Sequence, residues 1–187
     1  SERCALAALA FLALLGAGPA RAEVLPAGSV RGVLLAQAYD SRPAADELRF
    51  GGGLLVDLWQ PIGALRLGGA AGIAAIRSNN DDANDVFLPL GLSVALTTSD
   101  GEAPVAITGV ARVGGWAGAT NGGLDGGPWV GAGLQLDVRL DAGLHLSVGV
   151  DAWTLFDEGE RRVFVLPGFG LSWNTAARPS PGEGGAP

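Results

Sequence analysis

The residues equipped for chemistry are few and fall into small sets. His145 is the single histidine of the 187-residue chain, and it precedes Ser147 by two positions and Asp151 by six. In an extended segment these three side chains share one face, because successive residues point to opposite sides. A histidine, a hydroxyl and a carboxylate so placed are the parts of a base-activated nucleophile. They are equally the parts of an interior hydrogen-bond network, and the network is the expectation here. Asn79, Asn80, Asp81, Asp82, Asn84 and Asp85 crowd one segment with oxygen ligands of the kind calcium takes. Their spacing is not that of an EF-hand and no glycine stands at its turn position, so a solvated loop without metal is expected. The glycines of Thr120 to Pro128 lack a following Gly-Lys-Ser/Thr and make no phosphate loop. They are expected to form a flexible surface loop.

Composition decides which elements must position these residues. Glycine is 31 of 187 residues, more than twice the usual share of about 7%, and each glycine inside a helix costs about 1 kcal/mol relative to alanine. An all-β chain is the consequence. The twelve basic residues are all arginine, and nineteen acids bring the net charge to −7. No basic face is on offer to nucleic acid, which is excluded as a partner.

Residues 1–22 have the pattern of a secretory signal peptide. Arg3 precedes the apolar run Ala5 to Leu15, the breaker Gly16-Ala17-Gly18-Pro19 follows, and Ala20-Arg21-Ala22 is a small-x-small cleavage site. The run is shorter than the roughly 20 residues of a spanning helix. Cys4 leaves with this segment, so residues 23–174, the expected folded domain, have neither disulfide nor thiolate chemistry. Residues 175–187 are too poor in apolar side chains to pack and are expected to be disordered.

Between these ends lie eight segments of strand length: 30–39, 47–59, 64–76, 86–97, 105–116, 129–140, 144–154 and 162–174. Turn clusters separate them, among them Gln60-Pro61, Ser99-Asp100-Gly101, Asp141-Ala142-Gly143 and Asp157-Glu158-Gly159. Side-chain parity is plain in the fourth, where Val86, Leu88, Leu90, Leu92, Val94 and Leu96 alternate with Phe87, Pro89, Gly91, Ser93, Ala95 and Thr97. In this register the apolar face carries no charge. The other face is mostly glycine, alanine and serine, interrupted by Arg49, Asp57, Arg66, Arg112, Asp137, Arg139 and Asp151. Small residues with isolated ion pairs make a poor solvated surface and a suitable lining for a narrow lumen. An outward apolar band on strands of about ten residues is the signature of a transmembrane β-barrel. Its even strand count puts both termini on one side, the periplasmic side for a secreted chain. Trp59, Trp116, Trp129 and Trp153 share the lumen parity near strand ends, where they are candidates to stack on a ligand in the barrel mouth or to plug it. Plugging is expected.

On this pattern, over roughly residues 28–174, the chain resembles the eight-stranded outer-membrane barrels of Gram-negative bacteria, of the kind formed by the membrane domain of outer membrane protein A. The resemblance implies an all-β, eight-stranded antiparallel up-and-down transmembrane barrel. It implies outer-membrane lipid and the assembly machinery as partners, with a monomeric, non-enzymatic, structural or loop-binding role and no cofactor. The alternatives are a secreted or membrane barrel binding a small apolar ligand or sugar, and a narrow channel. His145 with Ser147 also looks like the site of outer-membrane lipid A deacylases, but a lipid substrate needs that site on the lipid face, and parity puts it inside.

Overall fold

The computed structural model describes residues 27–41, 49–77, 84–99, 103–120, 123–141 and 143–174. The expected signal peptide and C-terminal tail lie outside the described residues, as do Asn79 to Asp82. The described chain is eight strands: β1 (Ala27–Asp40), β2 (Phe50–Ile62), β3 (Leu65–Arg77), β4 (Asn84–Thr97), β5 (Val105–Thr120), β6 (Gly123–Asp141), β7 (Leu144–Asp157) and β8 (Glu160–Trp173). Each pairs antiparallel with the next, and β8 returns to β1, so the sheet is a closed barrel in simple chain order. Closure leaves no sheet edge around the waist. The first and last strands begin and end at the same end of the barrel, where Gly28 faces Trp173.

Parity sorts the side chains as the hydropathy alternation requires. Leu88, Leu90, Leu92, Val94 and Leu96 of β4 are exposed, while Asp85, Phe87, Ser93, Ala95 and Thr97 are buried. Leu134, Leu136 and Val138 of β6 and Leu146, Val148 and Val150 of β7 continue the outer belt, with Phe169 and Leu171 of β8.

Several boundaries differ from the sequence expectation, and three of the differences move a turn, a loop or a charge. Gln60-Pro61 is strand, and the β2–β3 turn falls at Gly63, whose φ of 63° favours glycine. Proline is tolerated there because the turn is only two residues away, at a strand end. Thr120 to Pro128 is strand apart from 121–122, which lie outside the described residues. Glycine-rich sequence can therefore hold a ladder when a partner strand supplies its hydrogen bonds. Finally, β3 and β8 run one or two residues further than expected, which brings Arg77 and Arg161 onto the outer face at their loop ends. The two-residue β7–β8 turn has Glu158 and Gly159 at φ 39° and 95°, the positive pair a type I′ hairpin needs.

Candidate functional site: the barrel interior

The inward side chains form four layers. At the chain-terminal mouth, Asp137 accepts hydrogen bonds from Thr108 Oγ1 at 2.9 Å and Ser172 Oγ at 2.8 Å. Asp137 and Ser172 line a cavity of about 10 Å³ together with Arg66 and His145. That is room for about one water, which several polar neighbours make a favourable host. Trp59 lies at this end, with the Arg66 guanidinium 5.9 Å from its ring centroid.

Deeper in, four charges from four strands meet. Arg112 of β5 donates from Nε and Nη2 to both oxygens of Asp57 on β2, at 2.8 and 2.7 Å. Its Nη1 donates to Asp151 of β7 at 2.5 Å. Arg31 of β1 reaches the other oxygen of Asp151 at 2.8 Å. All four side chains are fully buried, and two positive charges meet two negative ones. The fork of Arg112 suits this place because it can hold one carboxylate with two parallel bonds while offering a third donor elsewhere. Neighbouring glycines make the space: a Cβ at Gly133 would collide with the Asp151 carboxylate, and one at Gly149 would lie 3.1 Å from Arg31 Nη1. Between this quartet and the mouth sit buried polar atoms with no protein partner, namely Ser29 Oγ, Ser93 Oγ, Gln135 Nε2, Ser147 Oγ and Trp59 Nε1.

The third layer is apolar. Val33, Leu35, Leu55, Ile76, Phe87, Trp116, Trp129, Trp153, Leu155, Phe164 and Leu166 form one buried cluster. Its rings meet edge-on: Phe87 and Trp116 at 5.6 Å and 68°, Trp129 and Trp153 at 5.5 Å and 60°. Such tilted pairs set a ring edge against a ring face. Trp116 Nε1 donates to Phe156 O and Trp129 Nε1 to Leu90 O, so both indole poles are satisfied. The apparent void at Gly131 is occupied, since a Cβ there would meet the rings of Trp129 and Trp153 at 2.9 and 3.1 Å.

The fourth layer, at the loop end, is again ionic. Arg162 stacks 5.1 Å from both the Phe87 and Trp116 rings and lies 4.0 Å from Asp85 and 3.7 Å from Asp157. Arg49 lies 3.9 Å from Asp85.

Of the residues singled out from the sequence, Asp57, Arg112 and Asp151 meet in the quartet. Arg66 and Asp137 are at the terminal mouth, Arg49 at the loop end. Arg139 is exposed: it has the inward parity, but it lies at the end of β6 beside a register shift, where the interior opens to solvent. Three of the four tryptophans belong to the apolar layer and Trp59 lies apart from them, so they do not form one mouth. His145 and Ser147 are buried on the inner face, and the Ser147 hydroxyl has no protein partner, His145 included. Sequence reasoning left Arg31, Arg162 and Asp85 out of the network. The first two carry the inward parity of their strands, and Asp85 shares that of Phe87 once β4 is extended backward by two residues.

No family model and no curated protein matches the sequence. Solved structures do match. The chain is similar to Neisserial surface protein A at 13% identity and a TM-score of 0.60, covering 79% of this chain and 96% of that one. It is also similar to Ail, the attachment invasion locus protein of Yersinia pestis, crystallised with the heparin analogue sucrose octasulfate. There the identity is 11% and the TM-score 0.50, covering 80% of this chain and 99% of that one. A closed ring of eight antiparallel strands with its charges inside and its leucines outside has the fold of the eight-stranded bacterial outer-membrane β-barrels.

Proposed function

We propose that this protein is a monomeric outer-membrane barrel that places both termini in the periplasm, holds a closed, non-conducting lumen and performs no catalysis. Its role is structural or carried by its loop end. The observation that carries the reading is the sidedness of the wall. Exposed aliphatic side chains cover all eight strands, and the exposed charged residues within the strands stand at strand ends, Arg77 and Arg161 at the loop end and Arg139 and Asp141 at the terminal end. Water offers no reason to expose that belt. Lipid does, because apolar strand faces there avoid the cost of about 2 to 4 kcal/mol that a cationic residue meets at the bilayer midplane.

Closure of the lumen is supported by the sequence of layers. An eight-stranded barrel has an interior just wide enough for its side chains, and here a neutral ion quartet is backed by a layer of packed rings. The partnerless hydroxyls on the terminal side make water pockets there, not a path through the rings. A catalytic role has no geometry behind it: Ser172 Oγ donates its hydrogen bond to Asp137, and Ser147 is not bonded to His145.

Expressed with its N-terminal segment, the protein should sediment with outer membranes and migrate faster unboiled than boiled on a detergent gel. Recovery in the soluble periplasm would overturn the membrane reading. In planar bilayers the refolded barrel should pass no steady current, and a stable conductance at neutral pH would overturn the closed lumen.

A further inference from the structure

One polar pocket on the terminal side of the bore is floored by glycine. Gly149 of β7 and Gly168 and Gly170 of β8 have the inward parity of their strands, and Gly149 pairs with Gly168. Polar side chains ring this floor. Arg31 and Ser147 both pair with Gly170 and so stand on either side of it, and Gln135 pairs with Gly149. The Arg31 guanidinium reaches over the floor, since a Cβ at Gly149 would lie 3.1 Å from its Nη1. Ser29, the next inward residue of β1, stands on the side toward the mouth.

These four side chains are buried, none more than 2% exposed. Among the described residues, Arg31 Nε and Nη2, Gln135 Nε2, Ser29 Oγ and Ser147 Oγ have no hydrogen-bond partner. The three nitrogens can only donate, and a buried donor left unmet bears its whole desolvation cost. The neighbouring carboxylates are committed elsewhere. Both oxygens of Asp57 accept from Arg112, Asp137 accepts from Thr108 and Ser172, and Asp151 is shared between Arg112 and Arg31. The four central charges therefore form a chain with Asp57 at its negative end and Arg31 at its positive end. Two bonds hold the negative end, whereas a single contact to Asp151 holds Arg31.

We propose that this pocket binds one monoatomic anion, chloride or bromide, held by Arg31 Nε and Nη2, Gln135 Nε2 and the hydroxyls of Ser147 and Ser29. Water could meet the same donors, but every water brings two hydrogens that need acceptors where the carboxylates are already engaged. A halide accepts from all of the donors and adds none. Bonds from a guanidinium to an anion are about twice as strong as neutral ones, which sets the sign of the ligand. The site is blind, because the ring layer stands behind it, and it is reached from the terminal mouth. On that side Ser172 pairs with Ser29 and Asp137 with Ser147, and the cavity that they line with Arg66 and His145 is about 10 Å³. Room for about one water admits a bare halide and keeps sulfate or phosphate out.

The test uses the full chain refolded in zwitterionic detergent micelles and exchanged into sodium gluconate. Chloride added at constant ionic strength should broaden its own magnetic resonance saturably, and bromide should reverse the broadening. In urea, about 0.1 M chloride should lower the unfolding equilibrium constant at least about threefold relative to gluconate. Sulfate should have no such effect; an equal response to sulfate would mean screening rather than a site and would overturn the proposal. Gln135→Glu sets a carboxylate beside Arg31 and should abolish the chloride response, so an undiminished response in that variant also sinks it. Crystals of the parent chain soaked in bromide should give an anomalous peak within hydrogen-bond distance of Arg31 and Gln135. Water density there without that peak overturns the proposal, whether or not the variant folds.

Discussion

The two halves of the interior fill the same tube by opposite chemistry. On the loop side, below the loop-end ion pairs of Arg49 and Arg162 with Asp85, rings and aliphatic side chains interlock and the Trp116 and Trp129 indoles donate to carbonyls. On the terminal side, charges meet across the lumen and several hydroxyls have no protein partner. The difference teaches that a barrel of this width can be closed by shape or by charge, and that the two closures fail differently. Packed rings lose contacts in proportion to the atoms removed. A buried ion cluster has little graded response, because removing one partner strands the others in a medium that does not solvate them.

Predictions from this contrast begin with the quartet. Asp151→Ala leaves Arg112 with one carboxylate and removes the ion pair that Arg31 makes among the described residues, and should lower folding stability in lipid vesicles by about 3 to 5 kcal/mol. A urea titration giving under about 1 kcal/mol would show that the charges are hydrated rather than locked. Next is the outer wall, where Leu90→Arg should cost about 2 to 4 kcal/mol if the middle of β4 meets the bilayer midplane. A negligible loss in bilayers would mean that this face meets water. Within the apolar layer, Ile76→Val removes one methylene and should cost about 0.5 to 1.5 kcal/mol. A smaller loss would point to slack packing and weaken the contrast. The smallest effect belongs to the terminal side, where Ser93→Ala removes a hydroxyl that has no protein partner and should change stability by no more than about 0.5 kcal/mol. A loss above 1 kcal/mol in the same titration would tie that hydroxyl into the ionic half.

Much of this architecture was legible in residue order. Period-two alternation along the chain, with the turn clusters between segments, is enough to set eight strands, their faces and the inward placement of Asp57, Arg112 and Asp151. What parity does not carry is height. It could not say that Trp116, Trp129 and Trp153 share a layer while Trp59 does not, because height depends on the stagger between strands. Nor could it place Arg139, whose inward parity is overridden by a register shift at the strand end. The glycine-rich start of β6 misled for a different reason: local propensity argues against a strand there, and the pairing with β5 that overrides it is long-range. Gly91 shows the limit of reading small residues as empty space. Serine there looks cheap from the sequence, yet a Cβ would run into the backbone of Val113 and Gly114 on the neighbouring strand.

The quartet has a mechanical consequence. A closed ladder of hydrogen bonds fixes the circumference of a tube, but a ring of fixed circumference can still flatten into an ellipse. Asp57 and Arg112 stand three strands apart, and Arg112 and Asp151 two, so their bonds run as chords through the bore. Arg31 extends the chain of chords to the strand beside the closing seam. The barrel is in this sense a strutted pipe, in which lateral pressure must shorten or bend the struts before the cross-section can change. Ovalisation and loss of the central ion pairs become one event, and the wall inherits its stiffness from the bore.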